Sequence, residues 1–177
     1  MIRETTEKTP GNMTFQLEQR DIKSKSELYA HLSAQLQSLF EGEHDFIANA
    51  ANFSSLLYHS LPEVNWVGLY LLKANELVLG PFQGQPACVR IAIGKGVCGT
   101  AAELKQTVVV GNVHEFPGHI ACDSASISEI VVPLITSGEL IGVLDVDSPA
   151  FNRFDDEDAR GLNELAEVFL ESSDFKL

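Results

Sequence analysis

The sequence predicts an α+β fold with a central, mainly antiparallel sheet and helices from both ends of the chain. Two segments with helical periodicity come first, strand-like runs of β-branched and aromatic residues fill the middle, and a third helical segment follows. Successive strands joined by short turns favour antiparallel pairing. The 177 residues fit one domain, expected at 22–172, with a flexible N-terminal extension at 1–21 and a short tail at 173–177.

Two helices are expected to open the domain. Ser24 and Glu27 have the spacing of a capping box, which indicates that the first helix begins there. The second helix is expected from about Asp45 to Ser60, where Pro62 ends it. Residues at spacings of three and four predict the buried faces of both helices. These residues are Leu28, His31, Leu32, Leu36 and Leu39, followed by Phe46, Ile47, Ala50, Phe53, Leu56 and Leu57.

The middle of the chain has six expected strands and one short helix. A polar loop at 111–126 is longer than most connections in compact domains, and loops of that length are usually functional. A final amphipathic helix is expected at 155–170. The expected strands are 64–72, 76–82, 88–93, 107–110, 129–135 and 139–147, with the short helix at 97–104 between the third and the fourth.

Charge and hydropathy exclude several classes of protein. The 12 basic and 25 acidic residues give a formal net charge of -13, which disfavours binding to nucleic acid and to anionic membranes. The N-terminus lacks an apolar run of signal-peptide length, and no segment reaches the length of a membrane span. We therefore expect a cytoplasmic protein.

Three cysteines, Cys88, Cys98 and Cys122, give a second constraint. An odd number argues against a secreted disulfide framework, and no C-x-x-C pair is present. A zinc site would need all three together with His114 or His119, at spacings unlike those of short chelate loops. We therefore expect no metal site.

The local context differs between the cysteines. Cys98 begins the short helix, and because a helix N-terminus lowers the pKa of a thiol, we expect thiolate character there. Cys88 opens a strand, and either of these two residues can instead serve as a small buried hydrophobe. For Cys122, in the long polar loop, the residues alone leave a functional and a structural role open.

Acidic residues form a third pattern. Alternation along the sixth strand predicts that Ile141, Val143, Asp145 and Asp147 share one face, and Glu129 lies on the strand expected beside it. Neighbouring carboxylates need a cation, a shared proton or water. They suit either a ligand ammonium group or a carboxylic acid kept protonated for catalysis, and the alternative is a solvated strand end.

Trp66 and Tyr70 are predicted to share one face of the first strand, with Gly68 between them. Core packing explains such a pattern. For a single tryptophan, core packing is the usual explanation, and the functional alternative is a small aromatic pocket for a methyl group or a cation.

Six segments of the sequence closely resemble the free methionine-(R)-sulfoxide reductases, which are stand-alone GAF-domain enzymes. The resemblance extends over about residues 26–170 and implies a GAF-like fold. The segments are NWVGLY at 65–70, GPFQG at 80–84, GKGVCG at 94–99, IACDS at 120–124, EIVVP at 129–133 and GVLDVDS at 142–148.

The resemblance implies a thiol reaction. Cys122 would attack the sulfur of free methionine sulfoxide, while a neutral carboxylic acid protonates the oxygen. Glu129, Asp145 and Asp147 would share acid catalysis and binding of the substrate ammonium. Methionine would leave, and Cys122 would become a sulfenic acid.

The same resemblance implies the rest of the cycle. Cys88 is the expected resolving thiol, with Cys98 as the alternative, and thioredoxin would reduce the resulting disulfide. Trp66 and Tyr70 would enclose the methyl end of the substrate, and backbone N–H groups of the 122–126 loop would hold its carboxylate. The resemblance implies no cofactor of the protein's own, and it suggests a homodimer through the N-terminal helices. A ligand-binding GAF module and a thiol redox sensor are the alternatives.

Overall fold

A six-stranded antiparallel sheet forms the centre of the protein and confirms the predicted α+β class. The computed structural model describes residues 22–118 and 125–175. The elements in chain order are α1 Lys25–Leu39, α2 Phe46–Ser60, β1 Trp66–Lys73, β2 Glu76–Gly84, β3 Arg90–Ala92, α3 Gly96–Leu104, β4 Val108–Val110, β5 Ser128–Thr136, β6 Glu139–Ser148 and α4 Asp156–Ser172.

The strand order is β3-β2-β1-β6-β5-β4, so β1 and β6 lie side by side in the middle of the sheet. Their register places Trp66 opposite Asp147 and Gly68 opposite Asp145. On the other side of β6, Glu129 is opposite Asp147. The pairing therefore gathers the predicted aromatic and acidic residues at one place on the sheet.

One face of the sheet, here called the three-helix face, is covered by α1, α2 and α4. The helices α2 and α4 contact the sheet, and α1 contacts both of these helices. The strand side chains that belong to the buried apolar cluster on this face are at most 4% exposed. They are Val67, Leu69, Leu71, Ile130, Val132, Leu134, Leu144 and Val146.

The opposite face, here called the α3 face, is defined by the buried side chains Trp66, Tyr70, Val131 and Val143 that pack with α3. Leu77, Val97 and Ala101 belong to the same cluster. Because successive residues of a strand point to opposite faces, β1, β5 and β6 contribute to both cores.

The prediction for Ile141 was wrong. Its side chain packs against the core of the three-helix face, not beside Val143. The register of the hairpin explains this, because Leu134 pairs with Gly142 whereas the next residue, Ile135, pairs with Leu140. This shift leaves Ile141 as an extra residue in β6, and a single inserted residue reverses the alternation.

Two smaller differences concern element ends and exposure. The third strand is Arg90–Ala92, so Cys88 precedes it instead of opening it. Ile47 is 52% exposed and does not belong to the buried face of α2.

Polar contacts join α1 to α4. Asp158 is fully buried, and its carboxylate accepts hydrogen bonds from the hydroxyl of Tyr29 and from Lys25 and Arg153. Lys25 also pairs with Asp155 at 2.7 Å, and this hydrogen bond lowers the pKa of Asp155 to about 2. Asp155 is the N-cap of α4, where its side chain accepts from the backbone N–H groups of the first turn.

Within the part of the chain that the structure describes, no helix is both long enough and apolar enough to cross a membrane.

Candidate active site

A small cavity lies between α3 and the α3 face of the sheet. Its volume is about 40 Å³, which is enough for part of a small ligand. Most of the predicted site residues meet here. The described residues that line it are Trp66, Tyr70, Gln85, Pro86, Ala87, Ile91, Lys95, Gly96, Val97, Cys98, Ser126, Glu129, Asp145 and Asp147.

Two aromatic rings form one wall of the cavity. Trp66 and Tyr70 stack with their ring centroids 5.9 Å apart. The Trp66 Nε1–H donates to the carbonyl of Gln85, and the Tyr70 hydroxyl donates to the carbonyl of Cys88, both at 3.0 Å. Both rings are therefore fixed by a polar contact as well as by packing. A Cβ at Gly68 would collide with the ring of Trp66, which explains the glycine between them.

Acidic side chains from the neighbouring strands β5 and β6 form an acidic wall beside these rings. Glu129 and Asp145 are each only 6% exposed, and Asp147 is partly exposed beside them. The Oδ1 atom of Asp145 is buried and has no hydrogen-bond partner among the described residues. The Cys98 thiol donates weakly to Glu129 Oε1 at 3.9 Å. The cavity thus combines one thiol with three carboxyl groups.

Burial controls the protonation of these acids. The pKa of Glu129 is raised well above 4.5, first by burial and then by the nearby charges of Asp145 and Asp147. Burial also raises the pKa of Asp145, although hydrogen bonding with Cys98 and Glu129 opposes the rise. Two like charges so close together do not both ionise readily. The pair therefore retains a proton near neutral pH.

The expected thiolate character of Cys98 was wrong. The residue does lie in the first turn of α3, but it is buried, and burial raises the pKa of its thiol well above 9.0. The charges of Asp145 and Glu129 raise that pKa further. Desolvation and two acidic neighbours therefore outweigh the dipole of a nine-residue helix.

The remaining cysteines, Cys88 and Cys122, differ from Cys98 in bonding state and in coverage by the structure. Cys88 is disulfide-bonded, whereas Cys98 is a free thiol. Cys122 lies outside the described residues, so its assignment as the nucleophile stays a prediction.

Lys95 was missed by the sequence reasoning. It is the N-cap residue of α3, and it is the one cationic side chain among the described lining residues. A signal was present, because a lysine between two glycines ahead of a short helix places a positive charge at a helix N-terminus. Gln85, which lies between the expected strands 76–82 and 88–93, was also missed.

One group of described residues has the composition of a metal site. Single ligand atoms of Cys98, Glu129 and Asp145 all lie within 4.8 Å of one another. These ligands differ from those of the zinc site considered from the sequence, which would need three cysteines and a histidine.

Comparisons with known proteins agree with this architecture. The GAF domain family model matches residues 45–169. The free methionine-R-sulfoxide reductase of Escherichia coli is 52% identical over 86% of this chain and 94% of its own length. The free methionine-R-sulfoxide reductase of Neisseria meningitidis, solved in complex with its substrate, is 46% identical with a TM-score of 0.83, over 86% of this chain and 92% of that one. The fRMsr of Staphylococcus aureus in complex with substrate is 53% identical with a TM-score of 0.78, over 81% and 94%.

Proposed function

Because the chain belongs to the free methionine-(R)-sulfoxide reductases, a family of GAF-domain oxidoreductases, we propose that it reduces free L-methionine-(R)-sulfoxide to methionine in the cavity beneath α3. The observation that carries the proposal is the buried acid pair, Glu129 and Asp145, beside two stacked aromatic rings in a small cavity. Such a cavity offers a proton donor, a cation site and an apolar surface to one small zwitterion.

The substrate is oriented by its two ends. Its ammonium group lies against the acidic wall, where the buried Oδ1 of Asp145 has no donor within residues 22–118 and 125–175. Its methyl group contacts the rings of Trp66 and Tyr70. Its carboxylate is held by Lys95 at the mouth of the cavity, together with the backbone N–H groups of the 122–126 loop. A peptide-bound sulfoxide lacks both charged ends and binds poorly.

The acid pair supplies the proton for the first step. A sulfoxide oxygen leaves sulfur only after it is protonated, and a carboxyl group with a raised pKa is the donor that acts at neutral pH. Cys122 attacks, the sulfur–oxygen bond of the substrate breaks, and the oxygen ends on the cysteine. The products are methionine and the sulfenic acid of Cys122, so sulfur is reduced in the substrate and oxidised in the enzyme.

Cys88 resolves the sulfenic acid. Its thiol displaces water from Cys122 and forms a disulfide, which thioredoxin reduces by thiol exchange. Two observations favour Cys88 over Cys98 in this role. Cys88 is disulfide-bonded in the structure, and the raised pKa of the Cys98 thiol makes it a poor nucleophile. The protein needs no cofactor of its own, and association of the N-terminal helices into a homodimer stays a prediction.

The test is turnover with the two sulfoxide epimers. Wild-type protein, with thioredoxin and its reductase, should release many equivalents of methionine from free L-methionine-(R)-sulfoxide and few from the S epimer. Cys122→Ser should release none. Cys88→Ser should release one equivalent per chain and then stop under thioredoxin, because the sulfenic acid forms but is not resolved.

A redox sensor gives a different result. It would consume at most one equivalent of sulfoxide per chain in the wild type, and a ligand-binding module would consume none. Either outcome, or unchanged turnover in Cys122→Ser, contradicts the proposal.

A further inference from the structure

We propose that Cys98, Glu129 and Asp145 form a binding site for Zn²⁺, and that the bound ion excludes the substrate from the cavity. The metal site stands on the geometry of these three residues. Competition with methionine sulfoxide rests in addition on the proposed function, because the same two acids are assigned to the substrate there.

The three ligand atoms are already close to a metal-binding arrangement. They lie within 4.8 Å of one another, and Cys98 Sγ is 3.9 Å from Glu129 Oε1. Zinc–sulfur and zinc–oxygen bonds of about 2.3 and 2.0 Å at a tetrahedral angle separate sulfur from oxygen by about 3.5 Å. A contraction of a few tenths of an ångström brings this pair to that separation.

Asp145 Oδ1 is the second observation that points to a ligand. The residue is 6% exposed, and this buried oxygen accepts no hydrogen bond from any of the residues that the structure describes. A buried carboxylate oxygen without a donor is costly, and a cation beside it removes the cost. Asp145 lines the cavity together with Cys98 and Glu129, and one ligand atom of each residue lies within 4.8 Å of the others, so one ion can contact all three groups.

The donor set selects the metal. Mg²⁺ and Ca²⁺ require about six or more oxygen ligands, which a site with a thiol and two carboxyl groups does not provide. A sulfur ligand favours zinc among the abundant divalent ions, and three protein ligands with one open position are common at zinc sites. When the ion binds, the Cys98 thiol and the Glu129–Asp145 pair each release one proton to water. Asp147 or water completes the fourth position.

The ion and the substrate then compete for one space. The acids that would hold the substrate ammonium are the oxygen ligands of the ion, and the cavity offers about 40 Å³. Zn²⁺ is therefore an inhibitor in this proposal and not a cofactor.

Metal binding is measured first, without any turnover. The double variant Cys88→Ser/Cys122→Ser keeps Cys98 as its single cysteine and cannot react with the sulfoxide. Titration with Co²⁺, the coloured substitute for Zn²⁺, should produce a thiolate charge-transfer band that saturates at one ion per chain. Added Zn²⁺ should displace the Co²⁺ and abolish the band.

Three further variants in that background identify the ligands. Cys98→Ser should lose the band, and Glu129→Gln and Asp145→Asn should each weaken Zn²⁺ binding about tenfold or more by calorimetry. Glu139→Gln is the matched control, because it removes an exposed carboxylate from the same strand as Asp145 and should change nothing. Circular dichroism establishes that each variant is folded.

Competition is measured in the same sample. Free methionine sulfoxide added to the Co²⁺-loaded double variant should bleach the band in proportion to its concentration. Absence of the band, a band that survives Cys98→Ser, or full affinity in both carboxyl variants overturns the metal site. A band that the sulfoxide leaves intact overturns the competition. Neither result depends on turnover, which the thioredoxin assay reports separately.

Discussion

The two faces of the sheet differ in chemistry although the same strands build both. On the three-helix face, eight buried apolar strand side chains among the described residues pack beneath the helices. On the α3 face, β5 and β6 present Glu129 and Asp145 at the same depth, beside the free thiol of Cys98. The alternation of side chains along a strand thus allows one residue to stabilise the fold and the next to serve the site.

The difference teaches where stability comes from. Burying a carboxyl group without a full set of partners costs free energy, whereas a buried leucine contributes about 2 kcal/mol. The three-helix face contains many such apolar residues from the helices and the strands. It therefore stabilises a sheet whose opposite face contains the carboxyl and thiol groups of the candidate site.

The largest expected effect comes from the acids of the α3 face. Glu129→Gln and Asp145→Asn keep the shape of each side chain but remove its proton donor and its charge. We expect kcat/KM to fall about 10² to 10⁴-fold, because general acid catalysis contributes that much. The free energy of unfolding, measured with urea, should stay the same or rise because the paired carboxyl groups no longer repel. A clear loss of stability with full turnover would show that the acids are structural.

The opposite result is expected one residue away. Leu144 precedes Asp145 in β6 but points into the three-helix face, where it is fully buried. Leu144→Ala should lower the free energy of unfolding by about 2–5 kcal/mol. Its kcat, measured well below the melting temperature, should stay within about twofold of the wild type. A large change in kcat would mean that the two faces are coupled.

The fold was largely predictable because its signals are local. Periodicity and turns gave the class and the order of the elements, and Ser24 does cap α1 through the backbone N–H of Glu27. The failure at Ile141 has a tertiary cause, because the register shift at Leu134 depends on how β5 and β6 pair. Alternation within one strand contains no information about an extra residue in the hairpin.

The candidate site was predictable in its residue types but not in its electrostatics. Strand alternation placed Asp145 and Asp147 together, and the structure puts Glu129 beside them. The sequence did not reveal that Cys98 is desolvated, because burial arises from α3 packing onto the sheet. The helix N-terminus was the influence visible in the sequence, and it predicts a lowered pKa for the Cys98 thiol. Burial raises that pKa instead.

A pH series compares the α3 face with the α1–α4 contact. The pKa values of Glu129 and Asp145 are raised in the folded protein, mainly by burial, above 4.5 and 3.8. The folded state therefore binds more protons than the unfolded state above those values, and the free energy of unfolding should decrease as the pH rises. The effect is about 1.4 kcal/mol for each unit of pKa elevation.

Asp155 should have the opposite dependence. Its pKa is lowered to about 2, chiefly by the hydrogen bond from Lys25. Its contribution to the free energy of unfolding is therefore present above pH 3.8 and is lost as the pH falls toward 2. Urea unfolding from pH 2 to 8 tests both signs. In the double variant Glu129→Gln/Asp145→Asn, the free energy of unfolding should decrease less as the pH rises. Asp155→Asn, which preserves an N-cap residue, should change the free energy of unfolding only in its dependence on acidic pH.

The smallest expected effect is at Lys95, where the cavity meets solvent. An exposed cation that binds the substrate carboxylate contributes at most about 1 kcal/mol, because water and salt screen it. Lys95→Ala should therefore raise KM for free methionine sulfoxide up to about fivefold and leave kcat nearly unchanged. Lys95→Arg should restore KM, and the difference between wild type and Lys95→Ala should shrink at high salt. An unchanged KM would leave the carboxylate to the backbone N–H groups of the 122–126 loop. A fall in kcat instead would indicate that Lys95 acts on the acid pair, and the charge at the mouth of the cavity would then belong to the chemistry and not to binding.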